Sequence, residues 1–277
     1  MDQQVIKRFL KRKVSVFGGL IIIMFILTAI FGPLVAPYDP LQQNLANSYK
    51  GISSDHLLGT DNLGRDTLSR LIYGARISLG ISLASIGLAL IIGVSLGVTA
   101  GYYGGRVDNL IMRFVDILLA FPGILLAIAI VAILGNGLVN TMIAVAIFSV
   151  PDFARIVRSS VISLKETEFI EACRAAGASD IRIITKHIIP NSLSPLIVQA
   201  TLMLGTAILI ASGLSFLGLG VQPPNPEWGA MLSQGRELLR SSPLVAIAPG
   251  AAITFVVLSF SLVGDGLRDA LDPKLKN

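Results

Sequence analysis

Long apolar stretches, separated by shorter polar segments, dominate the chain. Six stretches hold about the 20 apolar residues that an α-helix needs to cross the hydrocarbon core of a bilayer. They cover residues 14–36, 77–100, 109–134, 138–158, 194–219 and 243–265. This pattern predicts an all-α integral membrane protein with six transmembrane helices, in which residues 1–277 form a single transmembrane domain.

Basic residues predict the orientation of these helices, because Lys and Arg are enriched on the cytosolic side of membrane proteins. Five precede the first span: Lys7, Arg8, Lys11, Arg12 and Lys13. The N-terminal tail 1–13, the loop 159–193 and the C-terminal tail 266–277 are therefore predicted to be cytosolic. The outer segment 37–76 and the outer loop 220–242 are predicted on the opposite side. The first apolar run exceeds that of a signal peptide and no convincing cleavage site follows it, so we interpret it as an uncleaved anchor.

The composition supports a membrane protein. Hydrophobic residues make up 53% of the chain, charged residues only 14%, and the mean hydropathy is +0.75. A soluble chain of 277 residues would carry more charge. The net charge of +5 is explained by basic residues beside the predicted spans, so it does not indicate a nucleic-acid partner.

Several kinds of chemistry are missing from the sequence. The single cysteine, Cys173, excludes an intrachain disulfide framework and a cysteine-rich metal site. No G-x-x-x-x-G-K-[ST] motif is present, so we expect no ATP binding by that route. His56 and His187 are predicted on opposite sides of the membrane, where neither can activate a serine within it. We therefore expect a chain that is not an enzyme and that binds no metal or cofactor itself.

The most distinctive polar segment covers residues 166–190 and predicts two short helices. The first runs over 168–176 and ends at Gly177, which can adopt a left-handed conformation. Ser179 is the predicted N-cap of the second helix, and Pro190 limits it. Small residues form the tip between the helices: Ala172, Ala175, Ala176, Gly177 and Ala178. Charged residues surround the tip: Glu171, Arg174, Asp180, Arg182 and Lys186. A helical knob of this kind indicates a soluble partner, whereas the alternative is an amphipathic hairpin without one.

This segment resembles the EAA loop of bacterial ABC importer permeases, whose pattern is E-A-A-x3-G-x9-I-x-L-P. Four residues match it at the family spacing: Glu171, Ala172, Gly177 and Pro190. Cys173, His187 and Ile189 stand in place of the second Ala, the Ile and the Leu. In that family the loop is a coupling helix that docks on an ATPase. The resemblance implies these ATPase-coupling residues: Glu171, Ala172, Cys173, Gly177, Ala178, Ser179, Asp180 and Arg182.

Three further stretches resemble the peptide/nickel branch of this family. They are LGTDNLGRDTLSRLIYGARISL (58–79), SFLGLGVQPPNPEWGAML (215–232) and GDGLRDALDPKL (264–275). Within this branch the chain resembles the second, shorter permease subunit of dipeptide or oligopeptide importers, and the resemblance extends to permeases for glutathione, nickel or metallophores. The resemblance implies alternating access in a bacterial cytoplasmic membrane. It also implies a homologous second permease, two cytosolic ATPases that hold ATP and magnesium, and an extracytoplasmic binding protein.

Other features of the predicted spans and loops have more than one interpretation. Gly93, Gly97 and Gly101 share one face of the second span, which is either a moving or subunit-contacting face or static packing inside the bundle. Residues 68–76 have helical spacing and predict a helix on the outer membrane surface. Trp228 is predicted to be an interfacial anchor.

The charges within or beside the spans leave the transport mechanism open. Arg113 and Asp116 are three residues apart and can pair on one helix face. Such charges are typical of helix ends, but Asp116 is our first candidate for the transport pathway. An ion-coupled secondary transporter would need titratable groups near the midplane, and often an internal inverted repeat, and neither is evident. A channel would need a selectivity element, which we do not find.

Overall fold

The computed structural model describes residues 3–240 and 242–271, and these residues form helices and connecting loops. In chain order, the helices are α1 (Gln3–Lys11), α2 (Lys13–Val35), α3 (Thr67–Tyr103), α4 (Gly105–Leu119), α5 (Gly123–Leu134), α6 (Leu138–Lys165), α7 (Glu168–Ala175), α8 (Asp180–Ile183), α9 (Ile189–Asn191), α10 (Leu193–Phe216), α11 (Trp228–Gly235) and α12 (Leu244–Leu271). The described residues also include two 3₁₀ turns (Leu45–Asn47 and Arg236–Leu238), a π-helical stretch (Ile184–Ile188) and an isolated antiparallel bridge between Thr60 and Asp66.

Five of these helices, α2, α3, α6, α10 and α12, are long and apolar enough to cross a membrane, and the bent pair of α4 and α5 makes a sixth candidate span. The all-α membrane fold is therefore confirmed. Some helices extend beyond the predicted spans, because α3 begins at Thr67 and α12 continues to Leu271. The first part of the predicted tail 266–277 is thus helical, and residues 272–277 lie outside the described part of the chain.

The third span, predicted over 109–134, is broken between α4 and α5. Helices α4 and α5 are bent by 93° relative to each other. Pro122 has no backbone N–H and disfavours helical geometry at the residue before it. It precedes α5 with an extended backbone (φ −54°, ψ 127°). The helical hydrogen-bond ladder of α4 therefore cannot continue into α5.

Residues 68–76 are helical, as predicted, but they form the first turns of α3 rather than a separate surface helix. Asp66 caps that helix: its Oδ2 accepts hydrogen bonds from the backbone N–H of Ser69 at 2.8 Å and from the Ser69 hydroxyl at 2.7 Å. Gly74 and Ala75 are buried against neighbouring helices. The amphipathic spacing therefore reflects a helix face that packs against α2 and α11.

Helix α11 packs against α10 and α12 with a completely buried carboxylate at its start. The two oxygens of Glu227 accept from the N–H groups of Gly229 and Ala230, both at 2.9 Å. Ser78 of α3 also donates to Glu227, at 3.2 Å. These bonds satisfy amides that a helix N-terminus otherwise leaves unpaired.

Trp228 is not an interfacial anchor, because its side chain is 0% exposed. Its indole N–H donates to the backbone carbonyl of Leu71 at 3.0 Å, and its ring contacts Phe25 edge-on at 5.5 Å. A Cβ atom on Gly74 would lie only 2.8 Å from the indole. The tryptophan therefore fills a space that glycine leaves on α3.

A buried charge cluster ties residues 37–66 to the beginning of α3. The Asp61 carboxylate accepts from Arg65 Nε at 2.7 Å and lies 3.4 Å from Arg70 Nε. Arg70 also donates to the backbone carbonyl of Pro40 at 3.1 Å. Each of the three charged side chains is at most 5% exposed. Paired and hydrogen-bonded charges of this kind hold the segment in one arrangement.

The three glycines of the predicted packing face lie against α6. A Cβ atom on Gly97 would be 2.5 Å from the carbonyl oxygen of Ala154, and one on Gly101 would be 3.0 Å from that of Arg158. Gly93 faces the same helix one turn earlier. Such small faces let two helices approach backbone to backbone. The glycine face is thus occupied by another helix of this chain.

Candidate functional site: the loop between α6 and α10

Helix α7 and a glycine turn form the first half of the candidate site. The helix covers Glu168–Ala175, and Gly177 follows it with φ +79°. The N–H of Ala178 donates to the carbonyl of Cys173 at 3.0 Å, which closes the helix end. This backbone conformation favours glycine, because a Cβ atom would be strained there. The predicted helix and its glycine stop are present, one residue shorter than the predicted range 168–176.

The second half of the loop follows a longer helical path than predicted. Ser179 precedes α8 with an extended backbone, but its side chain makes no capping hydrogen bond. Pro190 does not limit this helix, because α8 continues through the π-helical stretch and α9 to Asn191. Just before Pro190, the N–H of Ile189 donates to the carbonyl of Ile184, five residues earlier, which is the wider π-helical pattern. The π-helical stretch thus lets the chain pass the proline.

The loop has an apolar base and an exposed polar tip. Ile170, Ile183 and Ile188 are 0% exposed and belong to the main hydrophobic core. Six of the predicted coupling residues are exposed: Glu171, Ala172, Gly177, Ser179, Asp180 and Arg182. Cys173 and Ala178 are half-buried. The base therefore fixes the loop to the helix bundle, while the tip exposes small and charged side chains.

Tyr102, which the sequence analysis did not identify, joins the loop to the end of α3. Its hydroxyl donates to Asp180 Oδ1 at 2.6 Å. The guanidinium of Arg174 lies 5.5 Å from the centre of its ring. Lys165 donates to its backbone carbonyl, also at 2.6 Å. The position of Tyr102, directly after Gly101, is the only pointer to this role in the sequence.

Ion pairs connect the broken span to α6. The Asp116 carboxylate accepts a hydrogen bond from Arg155 of α6 at 2.6 Å. The predicted pairing of Asp116 with Arg113 is therefore wrong. Arg158 forms two bonds to Asp108, at 2.5 and 2.6 Å. The Asp116 side chain is 59% exposed. A place for Asp116 on the transport pathway stays a prediction.

The loop holds one thiol and one imidazole, and the two groups lie near each other. Cys173 Sγ is 3.9 Å from His187 Nε2, and the ring of Phe169 contacts His187 edge-on. Within residues 3–240 and 242–271, no group of three or more His, Cys, Asp or Glu residues could hold a metal ion. The contact is therefore best described as packing between α7 and the π-helical stretch.

Comparison with known proteins shows the family of this chain. Residues 93–277 match the family described as binding-protein-dependent transport system inner membrane component. Residues 3–51 match the N-terminal TM domain of oligopeptide transport permease C.

Curated relatives match over nearly the whole chain. The dipeptide transport system permease protein DppC of Alkalihalophilus pseudofirmus is 54% identical over 275 residues, which cover 99% of this chain and 90% of the relative. The glutathione transport system permease protein GsiD of Pectobacterium atrosepticum is 49% identical over 278 residues, which cover 98% and 90%. GsiD of Escherichia coli O157:H7 is 50% identical over 271 residues, which cover 98% and 89%.

The fold also matches a solved structure, an inward-facing conformation of the MetNI methionine ABC transporter. The TM-score is 0.59 at 22% sequence identity, and the match covers 73% of this chain and 96% of the other. At this identity the likeness shows the fold alone. Together with the family match, the apolar helices identify a multi-pass inner membrane protein. The chain belongs to the inner membrane components of binding-protein-dependent transport systems, the permeases of ABC transporters, and is a transport permease rather than an enzyme.

Proposed function

We propose that this chain is one of two homologous permease subunits of an ATP-driven importer, and that it moves short peptides across the membrane by alternating access. Dipeptides and glutathione are the proposed cargo, because the similar permeases are named for these two substrates. Both are small peptides with a free ammonium group and a terminal carboxylate, but the γ-glutamyl linkage of glutathione differs from a dipeptide backbone, so the two cargoes share charged ends rather than one backbone geometry. The role as a transport permease follows from the family match, whereas the cargo is part of the proposal.

The exposed tip of the loop between α6 and α10 supports the proposed coupling to an ATPase. Small residues allow a partner's backbone to approach closely, and Glu171 and Arg182 offer charges beside them. The buried base, which includes Ile170 and Ile183, would pass a displacement of the tip into the helix bundle. Two ATPase subunits, which hold ATP and magnesium, are the proposed partners on this side. The N- and C-termini are proposed to share it, in the cytosol.

A binding protein is the proposed partner on the opposite side of the membrane. Residues 37–76 and 220–242 would receive it, and the Asp61 cluster already holds part of this surface in one arrangement. The start of α3 contacts both segments, since Arg70 donates to the carbonyls of Pro40 and Pro224 at 3.1 and 3.5 Å. A docking event there would therefore act directly on α3.

Uptake in cells that lack this chain tests the cargo. Labelled dialanine, glutathione and nickel are offered with and without plasmid rescue, and we expect rescue of dialanine or glutathione uptake. Rescue of nickel uptake alone would indicate a metal importer. Failure to rescue uptake of any of the three substrates would contradict the peptide proposal. Vanadate should abolish the rescued uptake before a proton uncoupler does, whereas the reverse order would indicate a secondary transporter.

A charge reversal tests the docking surface. In Glu171→Lys, we expect ATPase subunits to co-purify poorly with the permease and uptake to fail, while membrane insertion is unchanged. The matched control for recovery of the ATPases is Glu237→Lys, an exposed acidic residue in the outer loop 220–242, on the side proposed for the binding protein. Equal recovery of the ATPases with both variants would refute the coupling assignment.

A further inference from the structure

Tyr102 is held by residues from both halves of the loop between α6 and α10. It is next to the last residue of α3 and only 4% exposed. Asp180, at the start of α8, accepts from its hydroxyl at 2.6 Å. Arg174, at the end of α7, places its guanidinium 5.5 Å from the ring centre. The glycine turn lies between these two charged residues, so the ring contacts the loop on both sides of its tip.

These contacts are directional, unlike the apolar packing of the loop base. A hydrogen bond to a carboxylate is shorter and stronger than one between neutral groups. A guanidinium over an aromatic face adds a further attraction that depends on geometry. Lys165, the last residue of α6, donates to the Tyr102 carbonyl at 2.6 Å. The ends of α3, α6, α7 and α8 therefore converge on one residue.

Helix α3 is suited to carry a displacement over a long distance. It runs without interruption from Thr67 to Tyr103, which is about 55 Å at 1.5 Å per residue. It contains no proline, whereas α2, α6 and α12 each contain one. Its other end carries the Asp66 cap and Arg70, which bonds to the segment before α3 and to the loop before α11.

We infer that Tyr102 is a positioning residue that makes α3 the lever between the loop tip and the opposite side of the membrane. This inference rests on the proposed coupling role of the loop and adds the residue that transmits the motion. When an ATPase displaces the tip, Asp180 and Arg174 move the tyrosine ring, and the ring moves α3. The displacement then reaches Arg70 and the surface proposed for the binding protein.

Tyr102→Phe is the informative variant, because it removes only the hydroxyl and keeps the ring and the backbone carbonyl. Purified transporter, with both permeases, the ATPases and the binding protein, is reconstituted in liposomes. Uptake of labelled dialanine and glutathione and hydrolysis of ATP are measured together. We expect the ratio of peptide imported to ATP hydrolysed to fall about tenfold, since a hydrogen bond to a charged group contributes at least the free energy of a tenfold change. Recovery of the ATPases should match wild type, and the melting temperature should fall by no more than the loss of one hydrogen bond explains, so the ratio is compared per assembled complex.

Tyr103→Phe is the matched control, because the neighbouring side chain is 57% exposed and also loses only a hydroxyl. Its transport ratio should equal that of wild type. Asp180→Ala removes the other partner of the same bond, and the double variant with Tyr102→Phe should be no worse than the stronger single variant. The alanine variant also keeps the inference testable if Tyr102→Phe fails to fold.

The outcomes separate this inference from the proposed function. If the wild-type complex imports neither peptide with ATP, the proposed function is wrong. If it imports a peptide while Tyr102→Phe and Asp180→Ala keep the wild-type ratio, only the role of Tyr102 is overturned. A loss of ATPase binding or of thermal stability in Tyr102→Phe, with an unchanged ratio per assembled complex, would likewise overturn it in favour of a purely structural role.

Discussion

Replacing Gly97 with alanine should force α3 and α6 apart. A Cβ atom at this position would lie 2.5 Å from the carbonyl oxygen of Ala154, 2.9 Å from Cβ of Val157 and 3.1 Å from the backbone nitrogen of Arg158. All three atoms belong to the backbone or are bonded directly to it, so no side-chain rotation can relieve the contact. The methyl group fits only if the helix axes separate or the helices shift along each other.

The size of the effect follows from two opposing contributions. Overpacking a well-packed interior typically costs about 1–3 kcal/mol. Alanine is favoured over glycine in a helix by about 1 kcal/mol, which offsets part of this cost. Gly87 lies on the same helix with nothing within 4 Å of its Cβ position. Gly87→Ala therefore keeps only the favourable contribution, and the two variants should differ by about 1–3 kcal/mol in free energy of unfolding.

The measurement is unfolding of the purified chain in mild detergent, by heat and by titration with SDS, followed by helical circular dichroism. We expect Gly97→Ala to unfold at lower temperature and lower SDS than wild type, and Gly87→Ala to unfold at or above the wild-type values. Equal stability of both variants would refute the close approach of α3 and α6. If Gly97→Ala kept its stability but failed to assemble with the second permease, the glycine face would be a subunit contact instead.

Three further predictions concern buried or paired groups. Glu227→Ala should destabilise the purified chain in thermal unfolding by about 1–3 kcal/mol for each backbone amide left without an acceptor, and Glu227→Gln by less, because the amide oxygen can still accept. A double-mutant cycle of Arg158→Ala and Asp108→Ala should give a coupling free energy of up to about 1 kcal/mol that decreases at high salt, because the pair is 34% and 15% exposed. Trp228 is the single tryptophan of the chain, so its fluorescence should be blue-shifted and resistant to iodide, whereas quenching like that of an exposed indole would contradict its burial.

Apolar run length was enough to predict which helices are long and apolar enough to cross a membrane, but not where each helix begins. Local hydropathy places the second span at 77–100, because the polar residues that precede it end at residue 76. The helix begins at Thr67, because Asp66 caps it and because Arg70 finds partners in Asp61 and Pro40. Those partners offset the free energy that burying the Arg70 charge costs, and both belong to the segment before α3. A reading of local hydropathy cannot include them.

One wrong prediction and one omission have the same cause, which is a contact between residues that are distant in the sequence. The sequence predicts Trp228 at the membrane interface because it follows prolines and glycines at the end of a span. Its hydrogen-bond partner, Leu71, is 157 positions away. Tyr102 was missed because Asp180 is 78 positions away. The helix and glycine turn of the loop were predicted correctly, since Gly177 and the helix before it depend on neighbouring residues.

Thiol labelling shows whether the loop tip binds an ATPase. Ala176 is exposed at the tip, and Leu57 is 58% exposed in the segment before α3. Each is replaced with cysteine in a Cys173→Ala background, and maleimide labelling is followed in solubilised permease with and without the ATPase subunits. We expect the ATPases to protect position 176 strongly and to leave position 57 unchanged. Equal labelling of position 176 in the free and the assembled permease would contradict the account.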